Sequence, residues 1–247
     1  MGKPEARTQS DYDYAGMSFD GSVFVSENRR SASPLLAPDM RIQSWQYVYA
    51  KRWIDIAGSL TLIGLCLIPG LLIAFLVAAT SKGSVFYREI RIGRGGRPFR
   101  IWKFRSMCRE AQWQEVVKSG ACDGTLLHWR VHKTHSDPRI TPIGGFLRRW
   151  SLDELPQLLN VFRGDMSLIG PRPVIAAEVP LYGHLQHFYL AATPGLSGLW
   201  QVSGRSNVSF AARANLDASY VRNWSLPGDF AILLRTVPAV LCRVGAR

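Results

Sequence analysis

Two adjacent carboxylates, Asp153 and Glu154, stand in the stretch Arg148 to Pro173, RRWSLDELPQLLNVFRGDMSLIGPRP, where acids, arginines and prolines crowd together. A carboxylate can attack phosphorus as a nucleophile, and a second one beside it can hold a divalent cation. Leu155, Leu158, Leu159 and Phe162 follow at helical spacing, so the acids belong to a helix start. Partial positive charge at such an end favours both a carboxylate and a bound phosphate. Ser151 and Glu154 fit a capping box, but that start puts Pro156 deep enough in the helix to cost a hydrogen bond and a clash. Asp153 as N-cap places Pro156 in the first turn, where its missing N–H costs nothing. Spacing alone therefore leaves capping and catalysis both open for this pair.

Arginines and a lysine are the natural complement of a phosphorylated ligand. Gly170-Pro171-Arg172-Pro173 follows the apolar run Met166 to Ile169, and its two prolines fix the backbone on either side of Arg172. A guanidinium held this way can meet a phosphate in bidentate fashion, or be a surface arginine in a rigid turn. Upstream, Ser84 to Met107 reads as a β-hairpin, with β-rich runs Val85 to Ile92 and Phe99 to Phe104 around the turn Gly93-Arg94-Gly95-Gly96. Arg88, Arg91, Arg94, Arg97, Arg100, Lys103 and Arg105 are expected to give this hairpin a dense positive face, for lipid headgroups or for substrate phosphates. Its glycines are turn residues, since no Walker lysine follows them.

The element that must position this chemistry is apolar. Ile56 to Ser81 is a run of 26 residues without a charge, about 39 Å long as one helix and longer than a bilayer core. Lys51 and Arg52 precede it, and Lys82, Arg88, Arg91 and Arg94 follow, so the positive-inside rule puts both ends on the cytoplasmic side. Pro69-Gly70 lies near its middle. The reading favoured is a re-entrant helix-break-helix in one leaflet, with a kinked single span as the alternative.

The chain has 247 residues, 47% of them hydrophobic, yet 30 Lys and Arg against 18 Asp and Glu leave a net charge of +12. Such a balance seeks anions. Nucleic acid is excluded as the partner, because the basic stretch follows a long apolar insertion and matches no DNA- or RNA-binding motif. Cys66, Cys108, Cys122 and Cys242 form no C-x-x-C pair and fit neither a zinc ribbon nor a disulfide framework, which points to a reducing compartment. Met1 to about Met40, rich in Ser, Asp, Arg and Pro, reads as a disordered tail without a cleavable signal. Glu110 to Trp129 reads as helical, and His128, His132 and His135, with no carboxylate at a telling distance, read as surface histidines, as do His184 and His187.

These motifs, in this order, resemble those of the bacterial sugar transferases, monotopic enzymes that start exopolysaccharide synthesis by moving a hexose 1-phosphate onto a polyprenyl phosphate. The resemblance covers Lys51 to Val244. It rests on K-R-x-x-D (Lys51 to Asp55), K-F-R-S-M (Lys103 to Met107), D-P-R-I-T (Asp137 to Thr141) and L-D-E-L-P-Q-L-L-N (Leu152 to Asn160). R-G-D-M-S-L-I-G-P-R-P (Arg163 to Pro173) and P-G-L-S-G-L-W-Q-V-S-G-R (Pro194 to Arg205) complete it. It implies Asp153 as nucleophile on a UDP-hexose, a covalent phosphosugar intermediate, release of UMP, and Glu154 as ligand of Mg²⁺. Matching positions imply that Lys103, Arg105, Arg148, Pro171, Arg172, Pro173 and Arg205 line the substrate pocket. The implied partners are a UDP-hexose of galactose or glucose, undecaprenyl phosphate, and the inner membrane with the active site facing the cytoplasm. A homodimer is compatible with this family and not read from the residues. Ile68 stands before Pro69 where many members carry serine.

Phe210 to Asn223 reads as an amphipathic helix with Ala212, Leu216 and Tyr220 on one face, and Asp229 to Arg243 as a second, interrupted by Arg235 and Pro238. Both are expected at the membrane interface, with Trp224 anchoring at headgroup level. The expected architecture is α+β and mainly α, with a re-entrant membrane helix, a small β-hairpin and amphipathic interfacial helices. Its expected parts are a tail (1–45), a membrane helix (46–82) and a cytosolic catalytic domain (83–247). Two rival functions remain: an inverting membrane glycosyltransferase that releases UDP, and a basic membrane scaffold without catalysis.

Overall fold

The computed structural model describes residues 41–108, 139–204 and 208–241. Helix α1, Lys51–Thr80, dominates it, entered through a π-helical turn at Gln46–Ala50. At 30 residues it measures about 45 Å. It continues as one α-helix across Pro69, so the break expected there is absent from the secondary structure. A proline costs one ladder bond, a loss that long apolar helices tolerate as a bend rather than an interruption. Leu65, Ile68, Leu71, Leu72 and Phe75 are all exposed, an apolar surface that nothing among the described residues covers.

The two ends of α1 are nonetheless tied to one folded body. Near the start, Lys51 Nζ donates to Asp229 Oδ2 at 2.6 Å, and Asp229 also accepts from Tyr220 Oη at 2.9 Å and Trp224 Nε1 at 3.0 Å. One turn on, Asp55 accepts from Ser167 Oγ at 3.0 Å and from the Leu168 N–H at 2.9 Å. Arg52 donates to the Val161 and Phe162 carbonyls at 2.7 and 2.6 Å, the orphan acceptors at the end of the short helix Leu158–Arg163. The K-R-x-x-D motif is thus a set of three clamps. At the far end, Ile73 and Val77 pack with Phe104 and Leu147 in a small core of their own.

Strands β1 (Phe86–Ile92) and β2 (Pro98–Phe104) form the expected antiparallel hairpin, with Arg88 opposite Trp102 and Arg91 opposite Phe99. The seven basic residues do not share one face. Strand period two sends Lys103 to the side of Ile101 and Phe99, while Arg88 and Arg100 lie on the other. The outer edge of β2 is closed by one side chain: Asn160 accepts from the Trp102 N–H at 3.1 Å and donates to the Arg100 carbonyl at 2.8 Å. An amide here substitutes for a third strand.

Helix α2 (Pro142–Arg149) starts at a Thr141 cap. The Leu152–Gln157 3-10 helix and helix α3 (Leu158–Arg163) follow, and α3 ends at Gly164 with φ 94°. Strands β3 (Ser167–Ile169) and β4 (Gly195–Ser197) pair in parallel, with Gly170 against Gly195 so closely that a Cβ at Gly170 would lie 2.8 Å from the Gly195 nitrogen. Helices α4 (Gln186–Ala191), α5 (Leu199–Val202), α6 (Phe210–Arg222) and α7 (Leu226–Leu241) complete the body. The main core runs through Leu158, Val161, Met166, Ile169, Val174, Tyr189, Ala218 and Val221.

The C-terminal expectations divide. Helix α6 buries Ala214, Asp217, Ala218, Tyr220 and Val221 against that core and leaves Ala212 exposed, so it is a core element rather than an interfacial one. Trp224 is buried, its indole N–H spent on Asp229, which excludes it as a headgroup anchor. Helix α7 does expose an apolar face, Phe230, Leu233, Leu234 and Val237. His184 is exposed and His187 lies half-buried against Phe188, while His128, His132, His135 and the 110–129 segment fall outside the described residues.

The buried Lys51–Asp229 pair carries a testable load. Asp229→Ala strands an ammonium and two buried donors, and is expected to cost about 3–5 kcal/mol. Thermal melts in detergent would measure it, and a loss under about 1 kcal/mol would remove the pair as the fastening of α1.

Candidate active site

Ser151 directs the chain into the site. It takes φ 56° and ψ 21°, and it is the one non-glycine residue with positive φ among those described. A residue held left-handed costs on the order of 1 kcal/mol. Here it turns the chain sharply out of α2, so that Asp153 and Glu154 occupy the first turn of the 3-10 helix. The helix begins two residues earlier than an Asp153 cap requires, and Ser151 makes no side-chain cap bond, so neither anticipated cap forms. Pro156 falls inside the 3-10 turn, whose hydrogen-bond pattern accommodates it better than an α-helix would.

β2 lies across this turn and places Lys103 over it. Lys103 Nζ donates to Glu154 Oε1 at 2.7 Å. Burial works to raise the Glu154 carboxyl, yet the Lys103 ammonium, with help from Arg172, outweighs it and holds Glu154 below the usual glutamate range. Asp153 goes the other way. Only 8% exposed, it is pushed up to about 6, first by burial and then by the neighbouring Glu154 charge, against the pull of Lys103 and Arg148. Two adjacent carboxyls with opposed shifts divide the work: one stays charged, the other titrates close to neutrality. At pH 7 a carboxyl of pKa about 6 is still mostly ionised, and it is a better nucleophile than an ordinary aspartate.

Arg172 reaches the same place from β3. Pro171 and Pro173 beside it are buried, and its guanidinium lies 4.8 Å from the centre of the Trp200 ring, close enough to feel the Glu154 charge. Lys103, Arg148, Asp153, Glu154 and Arg172 are therefore one electrostatic cluster. Arg105 is not part of it. Its guanidinium donates to the carbonyls of Ser84 (2.5 Å), Ser81 (2.6 Å) and Val77 (3.3 Å), and to Ser81 Oγ (2.7 Å), which fastens the end of α1 to the hairpin. Arg205 lies outside the described residues.

Among the described residues no cluster of three His, Cys, Asp or Glu side chains could cage a metal. Magnesium does not need one, since it is commonly held by one or two carboxylates plus substrate phosphates and water. An ionised Glu154 beside Asp153 fits that donor set.

A family model described as bacterial sugar transferase matches residues 46–243. The chain belongs to the bacterial sugar transferase family. It is 46% identical over 201 residues to the UDP-galactose-lipid carrier transferase of Erwinia amylovora, an alignment covering 80% of this chain and 42% of that protein. It is 47% identical over 179 residues to the exopolysaccharide production protein ExoY of Sinorhizobium fredii, covering 71% and 78%. It is also 42% identical over 201 residues to the undecaprenyl-phosphate galactose phosphotransferase of Salmonella typhimurium, covering 80% and 42%. The chain thus spans about two-fifths of the Erwinia and Salmonella relatives and most of ExoY.

Residues that spacing did not single out also surround this cluster. Asp217 of α6, buried, accepts from Tyr182 Oη at 2.8 Å and from the Arg172 backbone N–H, so it holds the arginine strap from behind. Burial raises its pKa to about 7. Glu178 meets both Arg91 (3.9 Å) and Arg213 (3.5 Å), and Arg213 stacks on Phe210 at 4.5 Å, which builds a second tier of arginines beside Arg172. Gln157 is 2% exposed, and its side-chain amide turns toward the Glu154 carboxylate. Only the placement of Gln157 four residues after Asp153, within the motif, offered a signal.

The raised Asp153 pKa sets an expected pH dependence. For an ionised Asp153 acting as nucleophile, kcat/KM is expected to fall as pH drops through about 6. Glu154→Gln removes a charge that raises Asp153, so any residual activity should show this acid limb at lower pH. A limb near pH 4 in the unaltered enzyme would remove Asp153 as the titrating group. Arg105→Met should lower thermal stability by about 2–4 kcal/mol, measured by melting in detergent, because one buried and two half-buried carbonyls lose their donor.

Proposed function

We propose that this transferase moves a hexose 1-phosphate, of galactose or glucose, from a UDP-hexose to undecaprenyl phosphate and releases UMP. The observation that carries the reading is the buried Asp153 carboxyl with its pKa near 6, seated among Lys103, Arg148 and Arg172 beside an ionised Glu154. Three cations around two acids suit a diphosphate donor better than an uncharged one. The names of the Erwinia and Salmonella relatives, a UDP-galactose-lipid carrier transferase and an undecaprenyl-phosphate galactose phosphotransferase, supply the donor and acceptor classes.

In the first step an Asp153 oxygen attacks the sugar-linked phosphorus. The bond from that phosphorus to the bridging oxygen breaks, UMP leaves with the electron pair, and an acyl phosphate to the sugar remains on Asp153. In the second, an oxygen of the lipid phosphate attacks the same phosphorus and Asp153 departs as a carboxylate. Lys103, Arg148 and Arg172 offset the negative charge at the phosphorus in both displacements. Glu154 would hold Mg²⁺, which when bound adds further neutralisation of phosphate charge. Burial of Asp153 keeps water from its acyl phosphate.

The membrane arrangement belongs to the same proposal. Both ends of α1 are fastened to one body, and its exposed apolar stretch lies between them, which fits a helix that enters and leaves one leaflet with the active site on the cytoplasmic face. Helix α7 would rest its apolar face on the same surface.

With donor labelled in the sugar, the unaltered enzyme is expected to form a covalent phosphosugar adduct and release UMP. Asp153→Asn should abolish the adduct and leave membrane association intact. UDP as product would favour the inverting rival, and absence of any turnover the scaffold. For topology, single cysteines placed at Trp45 and at Gly83 should both react with an impermeant thiol reagent only from the cytoplasmic side. Labelling from opposite sides would replace the re-entrant helix with a span.

A further inference from the structure

A well-defined cavity lies away from Asp153. It holds about 670 Å³ at the opposite end of the hairpin, between the hairpin turn and the first turns of α1. Tyr47, Val48, Lys51, Arg52 and Asp55 form one wall, and Gly93, Arg94, Arg97, Pro98 and Phe99 the other. Asp165, Met166 and Thr193 close its floor.

Its charges are unevenly spent. Lys51 is paired with Asp229, Asp55 accepts from Ser167 and Leu168 through Oδ1, and Arg52 is held by two carbonyls. Arg94 and Arg97 are exposed, and among the described residues no carboxylate pairs with either. The Arg94 guanidinium lies 5.6 Å from the centre of the Tyr47 ring, which orients it toward the cavity. The Tyr47 hydroxyl accepts from the Thr193 N–H at 3.0 Å, so its own proton remains to be donated. Asp165 accepts from the Asn160 amide at 3.3 Å and, among the described residues, makes no ion pair. The cavity therefore presents two free guanidiniums and a hydroxyl donor against apolar walls of Val48, Pro98, Phe99 and Met166.

Its level on α1 names the ligand class. The uncharged run begins at Ile56, directly after the lining residue Asp55. Trp45, Tyr49 and Trp53 are exposed on a neighbouring face of the same turns, the pattern of an aromatic belt at a bilayer surface. We infer that this cavity binds the phosphate headgroup of an anionic membrane lipid, with Arg94 and Arg97 on the phosphate, Tyr47 donating to it, and the apolar walls taking the start of the lipid chains. The site is separate from the Asp153 cluster. It rests on the membrane seating proposed above and not on the catalytic reading.

The test uses the full chain reconstituted in vesicles of phosphatidylcholine with or without phosphatidylglycerol. Bound lipid is counted by native mass spectrometry after mild detergent extraction, and membrane association by flotation. The double variant Arg94→Gln, Arg97→Gln is compared with Arg88→Gln, Arg100→Gln, which removes equal charge from the same hairpin outside the cavity. The unaltered chain should retain one phosphatidylglycerol in preference to phosphatidylcholine. Retention should fall at least about tenfold in the cavity variant and stay within about threefold in the control. Equal losses in both variants, while both still float, would overturn the cavity and leave the membrane seating standing. Failure of the unaltered chain to float with either vesicle would overturn both. Inorganic phosphate displacing the lipid at equal concentration would overturn a lipid as the source of the phosphate.

Discussion

An apolar helix of 30 residues whose two ends are bonded to one folded body constrains everything else in this transferase. Lys51, Arg52 and Asp55 fasten the entry, and Arg105 with the Phe104 and Leu147 side chains fastens the exit. Each clamp carries a buried or half-buried charge, and each charge is matched: Lys51 by Asp229, Asp55 by an N–H and a hydroxyl, and the arginines by carbonyls. Matched groups of this kind tolerate little displacement, since losing one partner leaves the other desolvated. The hairpin inherits its position from the same clamps. Its strands run the distance between the two fastenings, with Lys103 near one end and the Arg94–Arg97 turn at the other.

At the catalytic end the constraint is electrostatic. In the proposed reaction the aspartate that attacks phosphorus has to be charged, yet the proposed donor is charged in the same sense. The arrangement around Asp153 resolves this by unequal treatment of two neighbouring acids. Lys103 sits directly on Glu154, which stays ionised, while burial and the Glu154 charge lift Asp153. Arg172 owes its place to a strap of two buried prolines held from behind by Asp217, which takes its backbone N–H. A guanidinium positioned by its backbone loses little freedom on meeting a phosphate.

Much of this was legible in the chain because it is local. The hairpin expected over Val85 to Ile92 and Phe99 to Phe104 occurs at Phe86–Ile92 and Pro98–Phe104, and the long apolar helix lies where the uncharged run puts it. Adjacency alone marks Asp153 and Glu154 as a pair. What stayed hidden depends on partners far along the chain. Trp224 looked like an interfacial anchor beside an apolar helix until Asp229, itself claimed by Lys51, took its indole N–H. Lys103 and Arg105 are two residues apart in one motif, yet the strand ends between them, so one turns to Glu154 and the other to the end of α1. Asp217, Glu178 and Gln157 drew no notice because an isolated acid or amide on a helix has too many ordinary uses.

The Asn160 amide has a further consequence through the strand it covers. Proteins confined to a bilayer surface diffuse in two dimensions and meet one another in a fixed orientation, which raises the chance that matching strand edges zip together. By occupying the Trp102 N–H and the Arg100 carbonyl, Asn160 removes the groups a second copy would need to extend the sheet. A single carboxamide thus blocks part of an open strand edge against edge-on pairing between copies, while leaving the side chains of the hairpin free.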